Sequence, residues 1–422
     1  MRWIAGWMIA LAGAAAAVGA PQSALTLPAS EKAASTEPAH KLVLRDGDVL
    51  ACIGDSITNQ RLYTLFMEDY LLMCKPAAGV RMVTLGTNGQ TAPGFLQQES
   101  FDALKFQPTV ATVMFGMNDG AYGALTREHA AAYAAGERGI ITRLRQGGVR
   151  AIVLASPSCV DPATYKEGPE GAATYNRTLE RLAAEAREAA SATGVRFADV
   201  HAVFAQAMQK AKGLYGPQLD VAGADGIHPG NNGQMAIAYT MLKALGCDGD
   251  LGTITMDLDS GAASASPGHQ VLSSGKGMVE LSSTRYPFCF MGDAAESSGT
   301  VAVPGYLRFN EDLNRLMLVV KHAGTGKVRV TWGDTRKEFA GPALEKGINL
   351  AAEFIPGPFN EQFFKVEGLI RQKESDEEHW YHTDMRKSIG DAGKVLADEE
   401  QRAQDVAAAI VPVRTRIVVE RE

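Results

Sequence analysis

From residue 44 onward, short apolar runs alternate with stretches in which apolar positions recur every three or four residues. The runs are Val49–Ile53, Arg81–Leu85, Thr109–Phe115, Arg150–Ala155 and Val195–Val200. Most are apolar almost throughout rather than alternating, as strands buried on both faces must be. Helical patterns lie between them, near 59–74, 94–105, 126–146 and 170–193, and Gln234–Leu245 reads as a last helix. This alternation predicts an α/β architecture, a parallel sheet covered by helices on both faces.

The pattern changes after Gly246. Residues 251–355 carry short β-rich runs, among them Thr253–Leu258, Met278–Ser282, Leu316–Lys321 and Lys327–Thr331, separated by Gly, Ser and Pro. They predict a small antiparallel β module. Asn360–Lys387 and Glu399–Ile410 read as helices, and the charged stretch Gln401–Glu422 reads as a solvated terminus. No Pro/Ser-rich linker separates Gly246 from Thr253, so the accessory part is expected to dock on the α/β part. The expected division is an α/β domain over 44–246, a β-rich module over 247–358 and a helical segment over 359–422.

The first 43 residues differ from the rest. Arg2 precedes an apolar run from Trp3 to Val18, and small residues at 17–20 offer a cleavage site. This is the layout of a secretory signal peptide over 1–20. The run is short for a membrane span, which takes about 20 apolar residues. No Cys follows it, so no lipid anchor and no lasting membrane attachment is expected. Residues 21–43, rich in Ala, Ser, Pro and Thr, read as a linker. The expected location is secreted or periplasmic.

Composition narrows the function classes. Of 422 residues, 46% are hydrophobic and 21% charged, which excludes bulk disorder. Lys and Arg number 41 against 48 Asp and Glu, a net charge of −7, with no basic run longer than two. Nucleic acid is therefore not an expected partner. The five cysteines (52, 74, 159, 247 and 289) follow no metal-binding spacing. Cys52, inside an apolar run, reads as a buried thiol.

Candidate chemistry lies where the strands end. The first run ends in Gly54-Asp55-Ser56, leading into a helix, and open parallel sheets bind ligands at this edge. The second runs into Gly86-Thr87-Asn88-Gly89-Gln90-Thr91, where Gly89 can present an unobstructed backbone N–H. The third ends in Gly116-Met117-Asn118-Asp119, where the Asn118 amide can donate to an oxyanion. Before the last helix stands Asp225-Gly226-Ile227-His228-Pro229. A serine nucleophile needs a base, His has a suitable pKa, and an Asp three residues earlier can turn back to hold its tautomer. Glu377–His382 joins charge to Trp380 and Tyr381. That stretch suits either a sugar-binding face at the site mouth or packing of the C-terminal helix on the core.

With these four blocks in order, the chain resembles the SGNH hydrolases, the GDSL esterase family, over about residues 44–246. The resemblance implies a flavodoxin-like three-layer α/β/α sandwich with five parallel strands. It implies Ser56 as nucleophile, His228 as base and Asp225 as its acid partner. The Ser56 N–H, Gly89 and Asn118 would form the oxyanion hole. Many members carry Gly-Asp-Ser or Gly-Asp-Thr in the second block, where this chain has Gly89-Gln90-Thr91. No cofactor and no metal is implied. The expected partner is an ester substrate, with an acetylated carbohydrate favoured by export and the added β module. A lysophospholipase, thioesterase or arylesterase is the alternative within the family. A non-catalytic binding protein on the same scaffold is the alternative of another class.

Overall fold

The computed structural model describes residues 41–422, apart from 76, 99–101, 294–295, 297 and 386–391. The expected signal peptide and residues 21–40 of the linker lie outside the described residues, as does the end of the predicted 360–387 helix.

Five strands, β1 (Val49–Gly54), β2 (Arg81–Gly86), β3 (Val110–Met114), β4 (Ala151–Ala155) and β5 (Arg196–Ala198), form one parallel sheet in the order β2-β1-β3-β4-β5. This is the flavodoxin-like order, with its crevice between the carboxyl ends of β1 and β3. The strands are apolar throughout because each face has its own cover. Leu50 and Cys52 of β1 enter one core with Met82 and Val153, while Ala51 and Ile53 enter another with Val83 and Leu154. Helices α1 (Ser56–Asn59), α2 (Leu62–Asp69), α3 (Ala92–Leu96), α4 (Arg127–Gln146), α5 (Gly168–Thr193), α6 (Val200–Tyr215) and α7 (Asn231–Leu245) connect and cover the strands. α2, α6 and α7 pack on the first face. α3, α4 and the C-terminal half of α5 pack on the second.

α6 is a helix that the sequence reading left unassigned. Asp199 caps it, accepting from Ala202 N–H, and Val200, Phe204, Ala207 and Ala211 form its buried stripe at helical spacing.

The accessory part holds two sheets around one core. β6 (Asp250–Asp257), β7 (Ala263–Ala265), β10 (Arg315–Lys321) and β13 (Ile348–Asn349) form one, and β8 (His269–Gly275), β9 (Met278–Ser283), β11 (Lys327–Trp332), β12 (Thr335–Ala340) and β14 (Val413–Arg421) form the other. Inner residues alternate with outer ones, so that Val279, Leu281, Leu316, Leu318, Val328 and Val330 share one interior. Two expectations are corrected here. β6 and β10 run parallel, so the module is mixed rather than antiparallel. The charged end is not simply a solvated terminus: Arg414, Arg416, Glu420 and Arg421 are exposed, but β14 lies in the middle of its sheet, between β9 and β11, with Ile417 and Val419 buried. The segment after 359 is therefore not purely helical.

The accessory part docks on the α/β part. Tyr286 N–H and the Arg285 guanidinium donate to the carbonyls of Met73 and Cys74 in the π-helical turn Tyr70–Cys74 that continues α2. Phe66 of α2 and Tyr70, just after it, meet Phe288 and Phe309 edge-on. The helix Asn360–His379 lies along α2 and β2. β2 is an edge strand, whose outward backbone groups would otherwise lack partners. Side chains supply them. Lys373 Nζ donates to Met82 O at 2.7 Å, Arg61 donates to Thr84 O at 3.0 Å, and Glu377 accepts from Thr84 N–H at 3.3 Å. All five cysteines are buried free thiols, Cys52 included. No described helix is long and apolar enough to cross a membrane.

Candidate active site

β1 delivers Ser56 to the crevice. Asp55 leaves the strand as the N-cap of α1, accepting from Ile57 N–H at 3.0 Å, and Ser56 opens the helix. Burial pushes the Asp55 carboxyl up to about 7, against the lowering effect of that N–H.

Before α7, Asp225 folds its following residues around its own carboxylate. Oδ1 accepts from the N–H groups of Ile227 and His228, both at 2.9 Å, while Oδ2 faces His228 Nδ1 at 2.7 Å. Partial burial would raise this carboxyl. The hydrogen bonds from the His228 ring and from the two N–H groups outweigh it and hold Asp225 below the usual carboxylate range. The other ring nitrogen, His228 Nε2, lies 2.8 Å from Ser56 Oγ. A continuous Ser–His–Asp chain thus joins residues 172 positions apart in sequence.

Gly89 and Asn118 stand on the same cleft as Ser56 and His228. Gly89 takes φ +71°, a conformation costly for residues with a Cβ, and the space where a Cβ would stand is open. Asn118 Nδ2 donates to Gln90 O at 3.0 Å, and its Oδ1 accepts from Tyr122 OH at 2.9 Å. Asp119 ties the second and third blocks together, accepting from Ala92 N–H and Gly116 N–H, both at 2.9 Å. Burial raises its carboxyl to about 6 against these bonds.

The cleft has a volume of about 560 Å³. Besides Ser56, Gly89, Asn118 and His228, it is lined by Asn59, Gln60, Asn88 and Tyr122, and no aliphatic side chain among the described residues takes part. These four were not singled out from sequence. Asn59, Gln60 and Asn88 adjoin recognised blocks, so proximity along the chain was an available signal; Tyr122 carried none. The 377–382 stretch reaches the site in a way the aromatic pattern did not predict. Tyr381 is buried and Trp380 packs on the core under the second sheet face, so neither lines the cleft. Glu378 and His382 instead hold the Asn59 amide, at 3.4 and 3.0 Å.

The model of the GDSL-like Lipase/Acylhydrolase family matches residues 52–236, from β1 into α7. Residues 52–236 belong to that family. Membership implies a serine-dependent hydrolase acting on esters. Among solved structures, the chain is similar to a gut microbial diltiazem-metabolizing enzyme at 22% identity and a TM-score of 0.69. That match covers 91% of this chain and 99% of the other, so the accessory part belongs to the shared fold. An acetylxylan esterase from Geobacillus stearothermophilus matches at 22% identity and a TM-score of 0.40, over 48% of this chain and 95% of its own. No match was found among curated proteins.

Proposed function

We propose that the protein is a serine esterase that removes short acyl groups through an acyl-enzyme, with acetylated carbohydrate as its substrate class. The observation that carries the reaction is the chain from Ser56 Oγ to His228 Nε2, at 2.8 Å, and from His228 Nδ1 to Asp225, at 2.7 Å, opening on the cleft. In this reading His228 takes the Ser56 proton as Oγ attacks the ester carbonyl. The N–H groups of Ser56 and Gly89 and the Asn118 amide hold the oxyanion. Asp225 accepts the hydrogen bond from Nδ1–H, leaving that proton on the ring, and stabilises the imidazolium. His228 then protonates the departing alcohol. Water, giving its proton to the same nitrogen, cleaves the acyl-enzyme and restores Ser56.

The lining supports the substrate class. Asn59 and Gln60 are bonded within the protein, whereas Asn88, whose Oδ1 accepts from Asn59 Nδ2, has its amide nitrogen to offer a sugar hydroxyl at the cleft. No aliphatic side chain among the described residues lines the cleft to favour a long acyl chain. We also propose export to the periplasm or the medium, on the strength of Arg2 and the apolar run Trp3–Val18. N-terminal sequencing of the exported protein should then start near residue 20.

The test is acetate release from acetylated xylan, with p-nitrophenyl acetate as the small substrate. Wild type should act on both, and Ser56→Ala should act on neither while keeping its melting temperature. A serine-directed phosphonate should label Ser56. Turnover retained by Ser56→Ala, or label mapped to another residue, would overturn the mechanism. Activity on p-nitrophenyl acetate alone would overturn the carbohydrate assignment.

A further inference from the structure

We infer that Tyr122 is a positioning residue for the oxyanion site, its phenol hydroxyl fixing the plane of the Asn118 carboxamide; the inference rests on the esterase reading above. An Asn amide can present either its oxygen or its nitrogen to a neighbour, and only the nitrogen donates. Gln90 O is a carbonyl and can only accept, so its 3.0 Å contact identifies the Nδ2 end of Asn118. One anchor still leaves the amide free to turn about that bond. The second anchor, Tyr122 OH on Oδ1 at 2.9 Å, removes this freedom and keeps the acceptor oxygen occupied. The remaining N–H of Nδ2 is then the group the amide has left to offer the cleft. Burial pushes the Tyr122 phenol up to about 12, so the hydroxyl keeps the proton it donates.

The backbone gives an independent reason to assign this residue a role. Ala121 and Tyr122 are consecutive non-glycine residues in the left-handed region, at φ +52° and +55°. Such a pair is strained and persists only where its surroundings over-determine it. Here the Tyr122 ring stacks on Tyr175 of α5 at 5.2 Å, and Tyr175 stacks in turn on Tyr165 at 6.2 Å. The Tyr175 hydroxyl bonds Met117 O, and Thr178 Oγ1 donates to Gly123 O at 2.7 Å. α5 thus clamps both ends of the loop that carries Asn118, and the strained turn aims the phenol at the amide.

Tyr122→Phe keeps the ring and its stack and removes only the hydroxyl. With p-nitrophenyl acetate, kcat should fall about tenfold, the scale of one hydrogen bond, while KM stays within about twofold and the melting temperature holds. The hydroxyl acts through Asn118, so Asn118→Ala and Asn118→Ala/Tyr122→Phe should share one kcat. Phosphonylation of Ser56 also builds negative charge on oxygen, so the labelling rate of Tyr122→Phe should fall in parallel with kcat. An unchanged kcat, a change confined to KM, or a Tyr122→Phe loss that persists without the Asn118 amide would overturn the proposal. Ser56→Ala in the same assay separates the two readings, because activity without Ser56 would remove the esterase mechanism itself.

Discussion

Replacing Lys373 by Met tests the seam between the accessory helix and the catalytic part. Lys373 is 1% exposed and lies 2.9 Å from Glu68 of α2 and 2.5 Å from Glu377 of its own helix. Both carboxylates are nearly as buried, and Glu374 and Glu399 lie in the same interior. Burial already raises Glu68 to about 7 and Glu374 to about 8, with Lys373 holding both down and the neighbouring carboxylates pushing them up. Without the ammonium, burial and the neighbouring carboxylates push Glu68 further up, and Glu377 loses its nearest cation. The wild type, with Glu68 at about 7, already meets most of the cost of protonating that carboxyl at pH 7, so the variant's loss is that of buried charge left without its partner, about 3–5 kcal/mol. Arg61, 3.5 Å from Glu377, offsets part of this for one of the two. The sign of the pH dependence follows from raised folded-state pKa values. The buried acids are satisfied below their unfolded pKa, and that stability is lost as pH rises towards the folded values. The Glu68 share of the Lys373→Met deficit should accordingly be small at pH 5.5, where that carboxyl is protonated in both proteins, and grow from pH 7 to pH 8. Urea unfolding of wild type and variant at the three pH values measures it. A deficit under about 1 kcal/mol, or one independent of pH, would refute the argument.

Gly86→Ala should disturb Ser56, the proposed nucleophile, from behind. A Cβ there would lie 2.2 Å from Asn59 N and 2.6 Å from Thr58 C, backbone atoms of the turn that carries Ser56. Overpacking of this kind costs about 1–3 kcal/mol, and a displacement of about 1 Å costs on the order of 10² in kcat, so a fully active variant would refute the close approach. Asp225→Asn takes away the acceptor that orients the imidazole, and kcat should fall by on the order of 10²–10⁴ with the fold intact. Because its carboxyl is held below the usual range, Asp225 stays ionised as pH falls through 5. An acid limb of kcat in the wild type that survives in Asp225→Asn therefore belongs to another group.

The five central strands were legible because both their faces are buried, which makes each run apolar at nearly every position. Ser56, Asp225 and His228 were legible for a local reason, since three residues from Asp225 to His228 suffice for the carboxylate to reach back to the ring. α6 carried its signal in Asp199 and in the spacing of Val200, Phe204, Ala207 and Ala211. β14 alternates Val413, Thr415, Ile417 and Val419 with outward residues that include Arg414 and Arg416, and its charge obscured a period of two. Lys373 had no readable signal. Its partners stand 305 residues earlier on α2 and 291 residues earlier on β2, and a helix with so many charges looks solvated until those partners surround it. Tyr122 was hidden for another reason. Its link to Asn118 depends on a left-handed turn at two residues that do not favour one.

The central place of β14 also sets an order of events during synthesis. β9 and β11 can bond to each other only through β14, and Val413 pairs with Ser283, about 130 residues upstream. A ribosome adding about 5–20 residues per second takes roughly 7 to 26 seconds to cover that distance. β9 presents an unpaired edge through that interval and β11 through its later part, while the proposed catalytic residues, complete by His228, all precede both strands in the chain. The accessory interior therefore closes after the catalytic sheet can form, and Glu378 and His382, which hold the Asn59 amide at the cleft, are likewise added late.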